Sequence, residues 1–303
     1  MPKVTWLRVY NWIISGIGQG HGRDYKPAMA VRRWNPSKIS VQVAGGVPPY
    51  FRRGAYFSKN EWQVGQGLAW AGANTREQFP MWPWEHPHPL TGLDTDLDLT
   101  LSLSSGMQSI CNEMGIDHGV FIGTNIPYIW TIDYSIWAKL PSGQYHAGFV
   151  SVKPVEDERF QKPDPTDRAL EKLEAERRYS ASLGMHYQVT GAAEFPGELL
   201  TQLEWLRGTA VLPENDPRNY FLQGFLDHFI GDAQICPPAE WMHWLQVELG
   251  ATYEQAVFIC HHVIWHQYVD FDLTREINFS RVPQPGGRAL KKRIQEYFLG
   301  VAL

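Results

Sequence analysis

An aspartate and a serine–x–lysine motif lie in two consecutive segments that the residue pattern predicts to be strands. Asp133 lies within residues 128–137, which are rich in β-branched and aromatic side chains, and Ser151 and Lys153 lie two apart at the end of the next extended run. Because side chains two apart share one face of a strand, Ser151 and Lys153 are expected on the same side of the sheet. Hydrolysis of a DNA phosphodiester needs a divalent metal held by carboxylates, an activated water and usually a cation near the phosphate. The motif predicts such a site.

Glu61 is the second carboxylate that could reach this face, and each of these residues also has a simpler interpretation. Glu61 follows Ser58 by three residues, which is the pattern of a helix capping box. Asp133 stands among large apolar residues, where burial of an unpaired carboxylate costs several kcal/mol, so it either faces solvent or has a cation nearby. Lys153 is also explained as an exposed charge at a strand end.

The elements that would position these residues are predicted from periodicity and from turn residues. Residues 58–73 and 104–114 are predicted helices, the second closed by Gly115, and residues 128–137 and 145–152 form a predicted hairpin. A helix over 167–183 and a strand over 185–190 follow. Beyond residue 192 the chain reads as helical segments separated by prolines. The sequence therefore predicts an α/β domain over residues 1–191 and a mainly helical domain over 192–303.

The charge is unevenly distributed along the 303 residues. The formal net charge is -5, but residues 1–60 contain ten Lys/Arg against one acid, a net of +9, whereas residues 61–160 contain twelve acids against four bases, a net of -8. The basic segment is able to neutralise phosphates. The residues predicted to bind DNA are Arg23, Lys26, Arg32 and Arg33. The acidic segment suits a metal site and equally suits a solvated surface.

Two further patterns resemble ligand sites. Glycines alternate over residues 16–22, but no Gly-Lys-Ser/Thr follows, so a nucleotide loop is disfavoured and contact with the DNA backbone is the preferred interpretation. Cys260, His261, His262 and His266 have spacing that would suit zinc on one helix face. Because apolar residues are interleaved with them, a packed helix with polar tips is the preferred interpretation.

Composition and cysteine count indicate the compartment. No apolar run approaches the roughly 20 residues that span a bilayer, so no membrane association is expected. The three cysteines are too few and too scattered for a disulfide framework, and the N-terminal residues lack the charged and apolar blocks of a secretory signal. A cytoplasmic location is therefore expected.

Seven segments resemble, in order, the blocks of the TnsA family of endonuclease subunits from heteromeric transposases. They span roughly residues 16–190. They are residues 18–27 (GQGHGRDYKP), 58–61 (SKNE), 76–80 (REQFP), 115–118 (GIDH), 131–134 (TIDY), 151–154 (SVKP) and 171–179 (EKLEAERRY). The resemblance of residues 192–303 is confined to the surroundings of residues 270–273.

The resemblance implies a catalytic domain similar to type II restriction endonucleases, with a mixed sheet flanked by helices, and a winged-helix-like C-terminal domain for DNA and regulator contacts. Glu61, Asp133 and Lys153 match the family's catalytic residues. It implies magnesium as the cofactor, with manganese as a substitute. Asp133 would bridge the metal ions, Glu61 would ligate them or orient their waters, and Lys153 would stabilise charge near the scissile phosphate. Ser151 and the Val152 carbonyl are the further implied ligands.

The resemblance also implies partners and a reaction. The chain would cut the 5′ ends of a transposon in cut-and-paste transposition, together with a TnsB-like DDE transposase and a TnsC-like ATPase regulator. One position departs from the pattern, because the family usually has glutamine where this chain has Ser151. Two alternatives follow: a catalytically silent assembly subunit, which Ser151 supports, and a stand-alone nuclease with the same chemistry.

Overall fold

A four-stranded mixed sheet forms the centre of the N-terminal part of the chain. The computed structural model describes residues 3–30, 46–153, 168–229 and 231–301. The strands are β1 (Asn74–Met81), β2 (Trp130–Lys139), β3 (Tyr145–Val152) and β4 (His186–Thr190). They lie in the order β1-β2-β3-β4, with the first two pairs antiparallel and the β3–β4 pair parallel. The α/β class and the mixed sheet are confirmed.

Helices flank the sheet and make up the C-terminal part. In the described residues they are α1 (Trp6–Ile14), α2 (Lys59–Trp70), α3 (Thr95–Asp98), α4 (Met107–Met114), α5 (Arg168–Ser182), α6 (Leu199–Leu206), α7 (Asn219–Phe229), α8 (Pro238–Leu249), α9 (Tyr253–His266) and α10 (Gly287–Leu299). The predicted hairpin, the helices ending near Trp70 and Met114, and strand β4 are present within a few residues of their expected bounds. Gly115 caps α4 in the left-handed conformation, with φ 68°.

Strand β1 was not predicted from the sequence. It contains the polar run Arg76, Glu77 and Gln78, and all three side chains are at most 3% exposed. The alternation of apolar and polar residues that marks a half-buried strand is therefore missing. Gln78 has φ 49°, outside the strand region, and no register pair includes it. The irregularity lies beside Asp133, since Glu77 pairs with Tyr134 and Phe79 pairs with Ile132.

Two apolar clusters cover the faces of the sheet. The larger cluster joins α2 and the sheet residues Tyr134 and Val150 to apolar residues of all five C-terminal helices, including Phe298. The smaller cluster packs α4 and α5 on the sheet through Phe149 and Tyr179. The core is therefore continuous across residue 191, and the domain boundary there stays a prediction.

The C-terminal part is helical in the residues that the structure describes. Between residues 192 and 301, the described residues form α6 to α10 and short 3₁₀ turns, and no strand. The winged-helix-like architecture is therefore not confirmed. None of the described helices has the length and apolar character needed to cross a bilayer.

Candidate active site

Asp133 and Lys153 form an ion pair where β2 and β3 meet. Asp133 Oδ2 accepts hydrogen bonds from the backbone N–H of Val152 at 2.6 Å and from Lys153 Nζ at 3.3 Å. The side chains of Asp133 and Lys153 are 18% and 31% exposed, so both remain accessible to a ligand. Lys153 Nζ also donates to the Val152 carbonyl at 3.3 Å. The structure thus brings the predicted aspartate, lysine and backbone carbonyl together.

Glu61 is held near the start of α2 by four hydrogen bonds. Ser58 Oγ accepts from the Glu61 N–H at 3.0 Å and donates to Glu61 Oε1 at 3.1 Å. Glu61 Oε2 accepts from the Phe57 N–H at 3.0 Å and from Gln78 Nε2 at 3.2 Å. Ser58 therefore caps α2 as expected. In a capping box the Glu61 carboxylate would accept from the Ser58 N–H, whereas here it accepts from the Phe57 N–H and the Ser58 hydroxyl. The Glu61 carboxylate takes part in this capping network and also lies near Asp133.

A tyrosine joins α2 to the strand that contains Asp133. Tyr134 Oη donates to the Glu61 carbonyl at 2.8 Å. A Cβ added at Gly65, one turn further along α2, would lie 2.4 Å from Tyr134 Oη. A side chain at Gly65 would therefore displace Tyr134, and glycine at this position allows the helix to approach β2. This contact sets the position of the Glu61 backbone relative to Asp133.

Burial and the neighbouring charges shift the pKa values of Glu61 and Lys153. Burial and then the neighbouring Asp133 carboxylate raise the pKa of Glu61 to about 7, against the hydrogen bonds from Phe57 and Ser58. For Lys153, burial opposes the charge, but Asp133 and Glu176 outweigh it and the pKa is raised. Glu61 is a carboxylate whose ionisation a nearby cation would favour.

Glu176 is a functional candidate that sequence analysis missed. It lies on α5, is 7% exposed, accepts a short hydrogen bond from Ser151 Oγ and accepts another from Tyr187 Oη at 3.0 Å. Burial is the largest cause of its raised pKa, which Ser151 and Lys153 oppose. A signal was present, because Glu176 lies three residues before Tyr179 on a helix face that packs on the sheet.

Ser151 therefore has a different position from the one its motif suggests. Its side chain is 1% exposed and its hydroxyl is bonded to Glu176. It lies on the side of the sheet that α5 covers, and Lys153 feels the Glu176 charge. Ser151 thus links the motif to a third carboxylate, and its role as a metal ligand stays a prediction.

The residues present fit a magnesium ion, although they do not enclose one. No group of three or more His, Cys, Asp or Glu side chains within the described ranges is arranged to hold an ion by itself. Magnesium usually takes one or two carboxylates and completes its octahedron with water and substrate phosphates. Burial and the Asp133 carboxylate raise the pKa of Glu61, and the Val152 carbonyl accepts from Lys153, the partner of Asp133. This oxygen-rich, mutually repelling set suits a hard divalent cation.

The predicted DNA-binding residues are only partly described. Arg23 lies in a 3₁₀ turn (Gly22–Asp24) and is exposed. Lys26 is exposed as well, but its Nζ donates to the Ser15 carbonyl at 2.7 Å, near the end of α1. Arg32 and Arg33 lie outside the described residues. DNA contact by these four residues stays a prediction.

Two of the histidines of α9, His262 and His266, have hydrogen-bond partners within the protein. His262 Nδ1 donates to the Thr209 carbonyl at 2.7 Å and His266 Nε2 donates to the Ala210 carbonyl at 2.8 Å. Cys260 is fully buried. These contacts agree with the packed-helix interpretation of residues 260–266.

Comparison with known proteins agrees with the motif resemblance. The chain is 27% identical over 258 residues to the transposon Tn7 transposition protein TnsA of Escherichia coli, and the match covers 81% of this chain and 80% of that protein. No family model matches the chain. The matched region extends well beyond the motifs of residues 16–190, because it covers 81% of the chain. This chain is therefore TnsA-like, in agreement with the resemblance of its motifs.

Proposed function

We propose that the chain is a magnesium-dependent DNA endonuclease that cuts the 5′ ends of a transposon. The observation that carries the proposal is the contact of Asp133 with both the Val152 N–H and Lys153 Nζ, beside Glu61. A carboxylate pair and a strand carbonyl are suitable ligands for the metal in phosphodiester hydrolysis, and a lysine can stabilise charge on the phosphate. The similarity to Tn7 TnsA supports DNA transposition as the setting.

Each side chain has a separate role in the proposed reaction. Asp133, Glu61 and the Val152 carbonyl would hold magnesium, which supplies Lewis-acid stabilisation of the phosphate and a water of lowered pKa. Lys153 stabilises the negative charge that develops on the phosphate oxygens, and its raised pKa keeps it protonated at neutral pH. The Val152 N–H fixes the Asp133 carboxylate. Gln78 and Ser58 orient Glu61 through its two oxygens.

We also propose that the chain acts in a complex. A TnsB-like DDE transposase would cut and join the 3′ ends, and a TnsC-like ATPase would regulate the choice of target. This part of the proposal rests on the similarity to the Tn7 transposition protein TnsA, which is 27% identical to this chain.

A silent assembly subunit is the second candidate, because Ser151 replaces the glutamine usual in the family. The Ser151 hydroxyl is buried and donates to Glu176. Under this alternative, Asp133 and Lys153 form only a structural ion pair. Substitution of Lys153 would then change the free energy of unfolding but not cleavage, because the chain would have no cleavage activity.

Strand-resolved cleavage of transposon-end DNA separates the two candidates. We expect the chain, with its transposase and magnesium, to cut the 5′ ends, and we expect Lys153→Met to lower the rate about a hundredfold, because one charge-stabilising contact is lost. Lys291→Met is the matched control, since Lys291 is also a largely buried cation but lies on α10. If wild type and Lys153→Met both yield only 3′ cuts, the nuclease proposal is wrong.

A further inference from the structure

A cavity with no assigned role lies beside β1, on the smaller-cluster side of the chain. It measures about 650 Å³, within the size range of small-molecule sites. The glycine loop (residues 16–22), β1 and residues 82–92 surround it. Its lining includes Gly18, His21, Arg76, Phe79, Trp82 and Trp84. None of these residues belongs to the candidate active site.

Arg76 is a buried cation with no carboxylate partner among the described residues. It is 2% exposed, its Nη2 donates to Ser135 Oγ at 2.9 Å, and its Nε is buried without a hydrogen-bond partner. The rings of Phe79 and Tyr25 lie 4.6 and 5.8 Å from its guanidinium carbon. Burial lowers its pKa to about 10, so it remains charged at neutral pH. A buried, unpaired charge is costly, and a bound anion would offset that cost.

A second arginine beside β1, Arg52, does have a carboxylate partner, in contrast to Arg76. Arg52 forms a bidentate pair with Glu77, the residue next to Arg76. The strand thus supplies a carboxylate to one arginine and none to the other. Asp24 and Glu85 also line the cavity, but neither forms an ion pair with Arg76 in the described part of the chain.

His21 offers a second unpaired group to the cavity. Its Nε2 donates to the Thr91 carbonyl at 3.0 Å, which leaves Nδ1 as a buried nitrogen without a partner. In contrast, both ring nitrogens of His86 are bonded, to the Trp84 carbonyl and Tyr179 Oη, and both of His88 are bonded as well. An arginine that donates and an imidazole nitrogen that accepts together match a phosphate monoester, which has acceptor oxygens and a titratable O–H.

The walls of the cavity add aromatic surface. Phe79, Trp82 and Trp84 line it, and the rings of Trp82 and Trp84 are stacked with centroids 6.0 Å apart. Aromatic side chains are the usual platforms for nucleic-acid bases, whatever the base. Phosphate-binding and base-binding groups therefore line one cavity of nucleotide size.

We infer that this cavity binds the terminal phosphate of a nucleotide, with Arg76 and His21 at the phosphate and Trp82 or Trp84 against the base. The ligand is either a free mononucleotide or the 5′-phosphorylated end of a DNA strand. The inference goes beyond the proposed nuclease activity and does not depend on it, because no residue of the candidate active site lines the cavity.

The test measures binding of small probes to the 303-residue chain in EDTA, by tryptophan fluorescence and by calorimetry. The probes are thymidine 5′-monophosphate, thymidine, and a short single-stranded oligonucleotide with and without a 5′ phosphate. We expect binding that requires the phosphate. Preference for the mononucleotide identifies a free nucleotide as the occupant, and preference for the 5′-phosphorylated oligonucleotide identifies a strand end. Equal or absent binding of phosphorylated and unphosphorylated probes overturns the inference.

Variants separate a ligand-binding role of the two residues from a structural one. Arg76→Met and His21→Phe should each weaken phosphate-dependent binding about tenfold or more, since a charge-assisted contact is lost. Lys291→Met and His228→Phe, in the C-terminal helices, should leave it unchanged. Arg76→Met should keep or raise the thermal midpoint of the ligand-free protein, because an unpaired buried charge is removed. Unchanged binding in His21→Phe, which keeps the ring at a half-buried position, contradicts the inference even if Arg76→Met fails to fold.

Discussion

Two regions of this chain have residues of metal-binding type, and their surroundings differ. Where β2 and β3 meet, burial and the Asp133 carboxylate raise the pKa of Glu61, and Lys153 pairs with Asp133. On α9, His262 and His266 donate to backbone carbonyls at 2.7 and 2.8 Å, and burial lowers the pKa of both. A bound cation would reduce the repulsion between two neighbouring carboxylates, whereas histidines that already donate to carbonyls gain less from a metal. The comparison favours the first region as the functional one.

The largest expected effect is on cleavage at Asp133. Asp133→Asn keeps the size of the side chain but removes its charge, so we expect the rate of 5′ cleavage to fall about a thousandfold or more. Asp227→Asn is the control, because Asp227 is an exposed aspartate on α7. Comparable rates for the two variants would show that Asp133 is not part of the reaction.

Glu61 should increase the cleavage rate and lower the free energy of unfolding of the metal-free protein. Glu61→Gln should lower cleavage about a hundredfold and raise the free energy of unfolding of the metal-free protein by about 1 kcal/mol, because a partly buried carboxylate that repels Asp133 is removed. Denaturant unfolding in EDTA at pH 8 measures the second effect. A loss of stability would mean that the capping contacts with Phe57 and Ser58 outweigh the repulsion.

Gly65 tests the link between α2 and β2. Alanine usually stabilises a helix relative to glycine, but a methyl group here would meet Tyr134 Oη at 2.4 Å. We expect Gly65→Ala to lower the free energy of unfolding by about 1–3 kcal/mol through overpacking and to slow cleavage. Gly208→Ala, where the added carbon meets nothing within 4 Å, should change neither quantity. Stabilisation by Gly65→Ala would refute the proposed contact.

The smallest effect is a pH dependence of the histidine region. Burial and then His262 lower the pKa of His266 from 6.5 to about 4. Because the unfolded chain then binds protons more readily, this contribution to stability is present above pH 6.5 and is lost as the pH falls towards 4. His266→Gln, which can still donate to Ala210, should reduce the acid loss by about 1–2 kcal/mol. Identical pH profiles of stability for wild type and variant would contradict this assignment.

The site was predictable from sequence where its residues lie in regular elements. Strand β2 is rich in β-branched and aromatic residues, so the hairpin of β2 and β3 and the approach of Asp133 to Lys153 were predictable from strand geometry, whereas the burial of Ser151 against Glu176 was not. The helix start at Glu61 was predictable from its capping pattern, but spacing left open whether Glu61 reaches Asp133, because a contact between α2 and β2 is a tertiary feature that spacing does not encode.

Strand β1 and Glu176 were missed for related physical reasons. Both place polar groups in the interior, and periodicity arguments assume that buried positions are apolar. Glu77 pairs with Arg52 and Gln78 donates to Glu61, whereas Arg76 donates to Ser135 through one nitrogen and keeps a buried Nε without a partner. Glu176 is buried by its contacts with Ser151 and Tyr187. The partners that stabilise these buried polar residues are identified only in the folded structure.

The most direct test of the central claim is to locate the bound metal. Iron(II) bound in place of magnesium generates hydroxyl radicals with ascorbate and peroxide, and these radicals cut the nearby backbone, so mass spectrometry of the fragments maps the ion. We expect cuts near Glu61, Asp133 and Val152 that excess magnesium suppresses and that Asp133→Asn abolishes. Cuts near residues 261–266, or an absence of cuts that magnesium suppresses, would contradict it.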